Sequence, residues 1–114
     1  MQHGVQPLRA DYRLERAARS HSWKMLHVGV FFHGAFTARI RGAGVQAPRV
    51  GENLAWGVGR LARARTIVRM WLASPSHREN LLHPGYRLVG VGALHGSFSG
   101  HRAALMITTD FAGR

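Results

Sequence analysis

Glu52, Asn53, His77 and Asn80 are the residues whose types and neighbours could do chemistry in this chain. The first two stand in Gly51-Glu52-Asn53-Leu54-Ala55-Trp56-Gly57. The others follow in Trp71-Leu72-Ala73-Ser74-Pro75-Ser76-His77-Arg78-Glu79-Asn80-Leu81-Leu82. A carboxylate, two amides and an imidazole lie here among apolar side chains. A buried polar group is costly unless something nearby or bound satisfies it, so these segments are where a site is expected.

Two familiar chemistries do not fit. Ser74 and Ser76 lie near His77, but there is no GxSxG elbow and no acid placed to complete a serine triad. The glycines Gly57, Gly59, Gly90 and Gly92 never form GxxxxGK[ST], which leaves nucleotide binding without support. Within a strand, Asn53 must point away from the face that Glu52 uses, so its expected task is structural. Arg78 and Asn80 are expected to tie the loops near the cleft rim.

Positioning falls to elements that the pattern makes visible. Leu14, Ala17, Ala18, His21, Met25 and Val28 recur at steps of three and four, which predicts a helix from about Asp11 to Val28 with Asp11 as its cap. His21, on that apolar face, reads as a satisfied core histidine. Arg9, Arg13 and Arg16 fall on the other side as a solvated basic stripe. A short helical turn is expected over Phe36 to Arg41, closed by Gly42 and Gly44. Val50 to Val58 reads as the first strand. Leu61, Ala64, Ile67, Val68, Trp71 and Leu72 predict a second amphipathic helix, stopped at Ser74-Pro75 because the residue before proline avoids helical conformation. One more turn is expected over Ser76 to Leu82. Arg87 to Leu94 and Ala103 to Phe111 predict two strands joined through the loop Gly96 to His101.

Composition sets outer limits. With 114 residues, the chain suits one domain, able to bury roughly two thirds of its unfolded surface. No apolar run approaches the roughly 20 residues needed to span a bilayer. The first residues lack the basic-then-apolar pattern of a signal peptide. Cysteine is absent, so the core must hold without disulfides. Net charge is +11, and every cationic residue except Lys24 is arginine. That balance favours anionic surfaces, although compositional bias toward arginine explains it without a selected partner. Nucleic acid is not an expected partner, since charge alone points to it and no motif does.

Several motifs together carry a resemblance. The runs GENLAWG, WLASPSHRENLLHPGYRLVGVG and TTDFAG, preceded by Pro7-Leu8-Arg9-Ala10-Asp11, Ala17-Ala18-Arg19-Ser20-His21-Ser22 and Phe31-Phe32-His33, resemble in order the bacterial branch of the CAP superfamily. That superfamily joins cysteine-rich secretory proteins, antigen 5 and pathogenesis-related 1. The resemblance implies an α+β fold: a three-layer α-β-α sandwich with a small antiparallel sheet between helices, and residues 1–114 as a single CAP domain. It also implies an extracellular or cell-envelope location. Family members usually carry a further N-terminal helix before the segment matching Gly4 to Leu8. This chain lacks it, so one helical layer is expected to be incomplete unless a homodimer or additional upstream residues cover it.

The resemblance also supplies a cleft. His33, Glu52 and His77 match three of the four cavity residues of the eukaryotic members, and the second glutamate maps near Ser74, which cannot serve as a carboxylate. Two neutral imidazoles, His33 and His77, with water and a nearby carboxylate, would suit Zn²⁺. The simpler reading is a hydrogen-bonded cluster in which Glu52 holds one histidine. The expected function is a secreted-type binding or interaction module taking a small ligand, a lipid among the candidates, or a metal ion. The alternative is a Zn-dependent hydrolase or protease with Glu52 as general base.

Overall fold

Asp11 begins the first long element as its side chain predicts. Its carboxylate accepts hydrogen bonds from Arg13 N at 2.9 Å and Leu14 N at 3.1 Å, and its own backbone is extended. Helix α1 (Tyr12–Val28) then runs to Gly29, whose φ of 72° lets its N–H return to Met25 O. The buried face is Leu14, Ala17, Ala18, His21, Ser22 and Met25. Val28, expected on that face, is 50% exposed, because the buried stripe ends at Met25. These elements belong to a computed structural model that describes residues 7–113.

A two-residue strand β1 (Arg9–Ala10) precedes α1, so the strand at Val50 is not the first of the sheet. Helix α2 (Phe36–Gly42) follows α1, then come β2 (Arg49–Gly57), a 3₁₀ turn (Gly59–Ala62), α3 (Ala64–Ala73), α4 (Pro75–Leu82), β3 (Tyr86–Phe98) and β4 (His101–Gly113). Strand β1 pairs parallel with β3 through Arg9↔Leu88 and Ala10↔Val89, so the sheet is mixed rather than wholly antiparallel. Two residues are too short to show an alternation in sequence. The spatial order is β1-β3-β4-β2, which leaves β2 on an edge.

Strands β3 and β4 run through what the sequence suggests is a loop, meeting at Ser99 (φ 51°) and Gly100 (φ 83°). Two consecutive left-handed residues match the right-handed twist of a hairpin. Strand β2 adds to β4 over its full length, from Arg49↔Gly113 to Gly57↔Leu105.

Helices α1 and α2 cover one face of the sheet. There Leu14, Ile40, Val45 and Ala112 form one cluster and Met25, Leu54, Phe98, Ala104 and Met106 another. On the second face Ile67 and Trp71 of α3 pack on Ala55, Leu105 and Ile107. Leu61 and Val68, expected to share that buried stripe, are 52% and 43% exposed. Leu61 lies in the 3₁₀ turn, separated from α3 by the extended Arg63, and α3 presents only the Ile67 and Trp71 edge to β2 and β4. On β3, Val91 points to this second face and remains 48% exposed. The chain therefore has the α-β-α layering that its motifs imply, with Pro75 seated at the start of α4 where a missing N–H costs nothing.

The closest approach between layers is glycine-dependent. A Cβ on Gly92 would lie 2.2 Å from Arg19 N, and one on Gly90 2.2 Å from Glu15 N, because the backbone of α1 rests directly on β3. Gly92→Ala should therefore cost about 1–3 kcal/mol by forcing the helix outward. Urea denaturation checks it, and an unchanged midpoint would show that α1 can lift freely.

Candidate functional site

Strand register places Glu52 directly beside Asp110, its partner on β4. Both side chains face α1 and α2, and both are buried. Arg39, from α2, bridges them. Its Nη1 donates to Glu52 Oε2 at 2.7 Å and Asp110 Oδ2 at 3.1 Å, while Nη2 donates to His33 O at 2.9 Å. His33 Nδ1 meets the other Glu52 oxygen at 2.9 Å. One guanidinium thus fixes two strands and the loop carrying His33.

Two adjacent buried carboxylates cannot both ionise cheaply beside a single arginine. Burial pushes the Asp110 carboxyl up to about 9, helped by its hydrogen bond to Glu52 and by the charge of Glu52. Burial acts in the same sense on Glu52. There it is outweighed by the hydrogen bond from Asp110 and by the hydrogen bond and charge of Arg39, which hold Glu52 below the ordinary carboxylate range. Glu52 is therefore the anion and Asp110 the proton carrier. Asp110 Oδ1 is buried with no hydrogen-bond partner among the described residues.

Around the exposed edge of β2 the second face contributes α4. Asn80 Nδ2 donates to Glu52 O at 3.0 Å and to Asn53 Oδ1 at 2.9 Å, and Asn53 Nδ2 donates to His77 O at 3.1 Å. This amide chain satisfies an edge carbonyl and ties α4 to the strand. His77 Nδ1 lies 2.9 Å from Ser74 Oγ, and its ring stacks on Trp71 at 6.3 Å between centroids. Burial, then repulsion from His33, lowers the His77 pKa, which keeps its ring neutral at pH 7. A cavity of about 250 Å³ wraps the edge, bordered by His33, Glu52, Asn53, Ser76, His77 and Asn80. A second, apolar cavity of about 330 Å³ adjoins it through His77 and is lined by Phe31, Leu54, Trp56, Met70 and Trp71.

The structure thus brings His33, Glu52 and His77 to one cavity, although His33 arrives from the α1–α2 side and His77 from the α4 side. Ser74 borders the apolar cavity and holds His77. Asn53 points away from the Glu52 face. Arg78 is exposed, reaching Leu72 O at 3.4 Å, and takes no part in the cleft. His21 is buried, with Nε2 2.6 Å from Phe32 O.

Sequence reasoning did not single out Arg39 or Asp110. Asp110 was open to inference, since an acid in a run as apolar as Thr108-Thr109-Asp110-Phe111-Ala112 must find a partner. Arg39 was one arginine among many.

For a metal ion, the donor set is restricted. Both Glu52 oxygens are engaged, and among the described residues no group of three His, Cys, Asp or Glu side chains gathers to hold one. The ring nitrogens left over are Nε2 of His33 and of His77.

Residues 1–108 match the family described as CAP, cysteine-rich secretory protein family, and the chain belongs to it. The uncharacterized protein YkwD of Bacillus subtilis (strain 168) is 31% identical over 94 residues, which cover 78% of this chain and 35% of that protein. The chain therefore spans about a third of that relative's length. Two solved structures share the fold. An extracellular protein containing an SCP domain from Bacillus anthracis str. Ames superposes with a TM-score of 0.79 at 24% identity, over 99% of this chain and 36% of that one. An outer surface protein from Borrelia burgdorferi gives 0.81 at 24% identity, over 96% and 80%.

The shared proton has a consequence for stability. Because the folded Asp110 pKa lies above its unfolded value of 3.8, the fold holds a proton that the unfolded chain releases, and this group's effect on stability turns unfavourable as pH rises toward about 9. Asp110→Asn, which keeps a donor without a titrating proton, should remove that slope, at most about 1.4 kcal/mol per pH unit. Denaturation at several pH values checks it. Parallel profiles for the two proteins would contradict the assignment.

Proposed function

We propose that this CAP domain is a non-enzymatic binding module whose cleft at the β2 edge takes a small amphiphilic ligand. One observation carries the reading: a polar cavity and an apolar cavity meet at His77. The polar end of a ligand would face His33, His77 and Asn80, and its apolar end would lie among Trp56, Met70 and Trp71. Such a division suits a lipid-like molecule, because burial of its apolar part drives binding and a few polar groups orient it. The descriptions of the two solved relatives as extracellular and outer surface proteins support an extracellular or envelope location for this one. No helix among the described residues is long and apolar enough to cross a membrane. Attachment to an anionic envelope surface has net charge in its favour. Within the Arg9, Arg13 and Arg16 stripe, Arg13 has its charge offset by Asp11.

The hydrolase alternative is weakened by Glu52. A carboxylate held by Arg39 and His33, with its pKa lowered, is a poor general base. Metal binding has one observation of its own. Each histidine has Nδ1 fixed by an oxygen partner, Glu52 or Ser74, and such partners are what orient a metal-binding imidazole through its other nitrogen.

Titration with a fluorescent fatty acid tests the leading reading. His77→Ala should weaken binding about tenfold, about 1.4 kcal/mol. Equal affinity in the variant would refute it. Calorimetric titration with Zn²⁺ tests the second. Affinity should fall as the pH drops below about 6.5, because protonated imidazoles cannot ligate. Affinity that is unchanged by pH would exclude the histidines.

A further inference from the structure

His33 separates the cleft from another cavity on the α1–α2 side. This one, of about 270 Å³, is bordered by Ser20 and Lys24 of α1, by His33 and Gly34 in the connecting loop, and by Arg39 of α2. Gly34 takes a φ of 67°, a left-handed conformation that favours glycine. Lys24 stands 6.0 Å from the centroid of the Phe32 ring, and among the described residues no carboxylate pairs with it. Among the described residues no acid borders the cavity. Glu52, beneath it, has both oxygens engaged by His33 and Arg39. Lys24 and Ser20, both exposed, therefore border one opening with Arg39, whose own charge is answered from below by Glu52.

The donors also say what shape of anion fits. A planar carboxylate is best recognised by the two-pronged edge of an arginine. Here Nη1 of Arg39 is already shared by Glu52 and Asp110, and Nη2 by His33 O, so that fork is not free. What remains are single donors, the Lys24 ammonium and the Ser20 hydroxyl one turn apart on α1, beside the 17% of the Arg39 side chain still exposed on α2. Single donors, each offering one hydrogen bond to one oxygen, suit a tetrahedral oxyanion better than a planar carboxylate. We propose that this cavity binds a phosphate or sulfate group, with Lys24 as the principal charge and Ser20 as a hydroxyl donor. The site shares only His33 with the amphiphile cleft and stands whether or not that reading holds.

Because a chain of net charge +11 attracts any anion, the test is made at matched ionic strength. Isothermal titration with inorganic phosphate and with sulfate, in chloride buffer, should give saturable one-site binding. Lys24→Gln should weaken it at least tenfold and Ser20→Ala about threefold. Arg60→Gln, which removes the same charge from the 3₁₀ turn, should leave it unchanged. Circular dichroism confirms that each variant is folded. Phenyl phosphate and vesicles containing phosphatidic acid then distinguish a soluble phosphoester from a lipid headgroup, and binding of either agrees with the site. No saturation above chloride, or equal losses in Lys24→Gln and Arg60→Gln, would overturn the proposal.

Discussion

Arg39 is the constraint around which the rest of the site is arranged. Its guanidinium reaches Glu52 on the edge strand, Asp110 on the central strand and the backbone carbonyl of His33. With 17% of its side chain exposed against two fully buried carboxylates, it supplies a charge that water cannot. An uncompensated buried carboxylate is far more costly than a paired one, so removing the arginine would not merely delete contacts. It would leave Glu52 charged in the interior or force it to take a proton, and either outcome frees the loop that carries His33.

From that fixed point the two faces of the molecule communicate around the edge of β2. Glu52 presents its side chain to α2 and its carbonyl to Asn80 of α4, while Asn53, pointing the other way, holds the carbonyl of His77. Adjacent residues of one strand therefore locate histidines that belong to opposite helical layers. An edge strand allows this because its outer carbonyls have no neighbouring strand. The amides of Asn53 and Asn80 do what a further strand would otherwise do, and they leave the rim open as a cavity.

Much of this was legible in the amino-acid order. Asp11 as a cap, the α1 stripe and the opposite orientations of Glu52 and Asn53 follow from short-range rules, and the α-β-α layering follows from the combination of motifs. The strand β1 was hidden because two residues carry no periodicity. The burial expected of Leu61 and Val68 failed because helical period says which residues share a face but not how wide a surface lies opposite. The Arg39–Asp110 contact joins residues far apart in the chain, and nothing local marks either as the other's partner. The protonation of Asp110 depends in turn on strand register, which places it beside Glu52.

A double-mutant cycle between Arg39 and Glu52, followed by chemical denaturation, tests the central claim most directly. Arg39→Met alone should cost about 3–5 kcal/mol by stranding a buried charge. Adding Glu52→Gln should recover part of that loss, because the stranded charge is gone, giving a coupling energy well above the roughly 0.5 kcal/mol expected of independent sites. Additive losses would contradict the account and would mean that the arginine contributes packing rather than the charge on which the cleft depends.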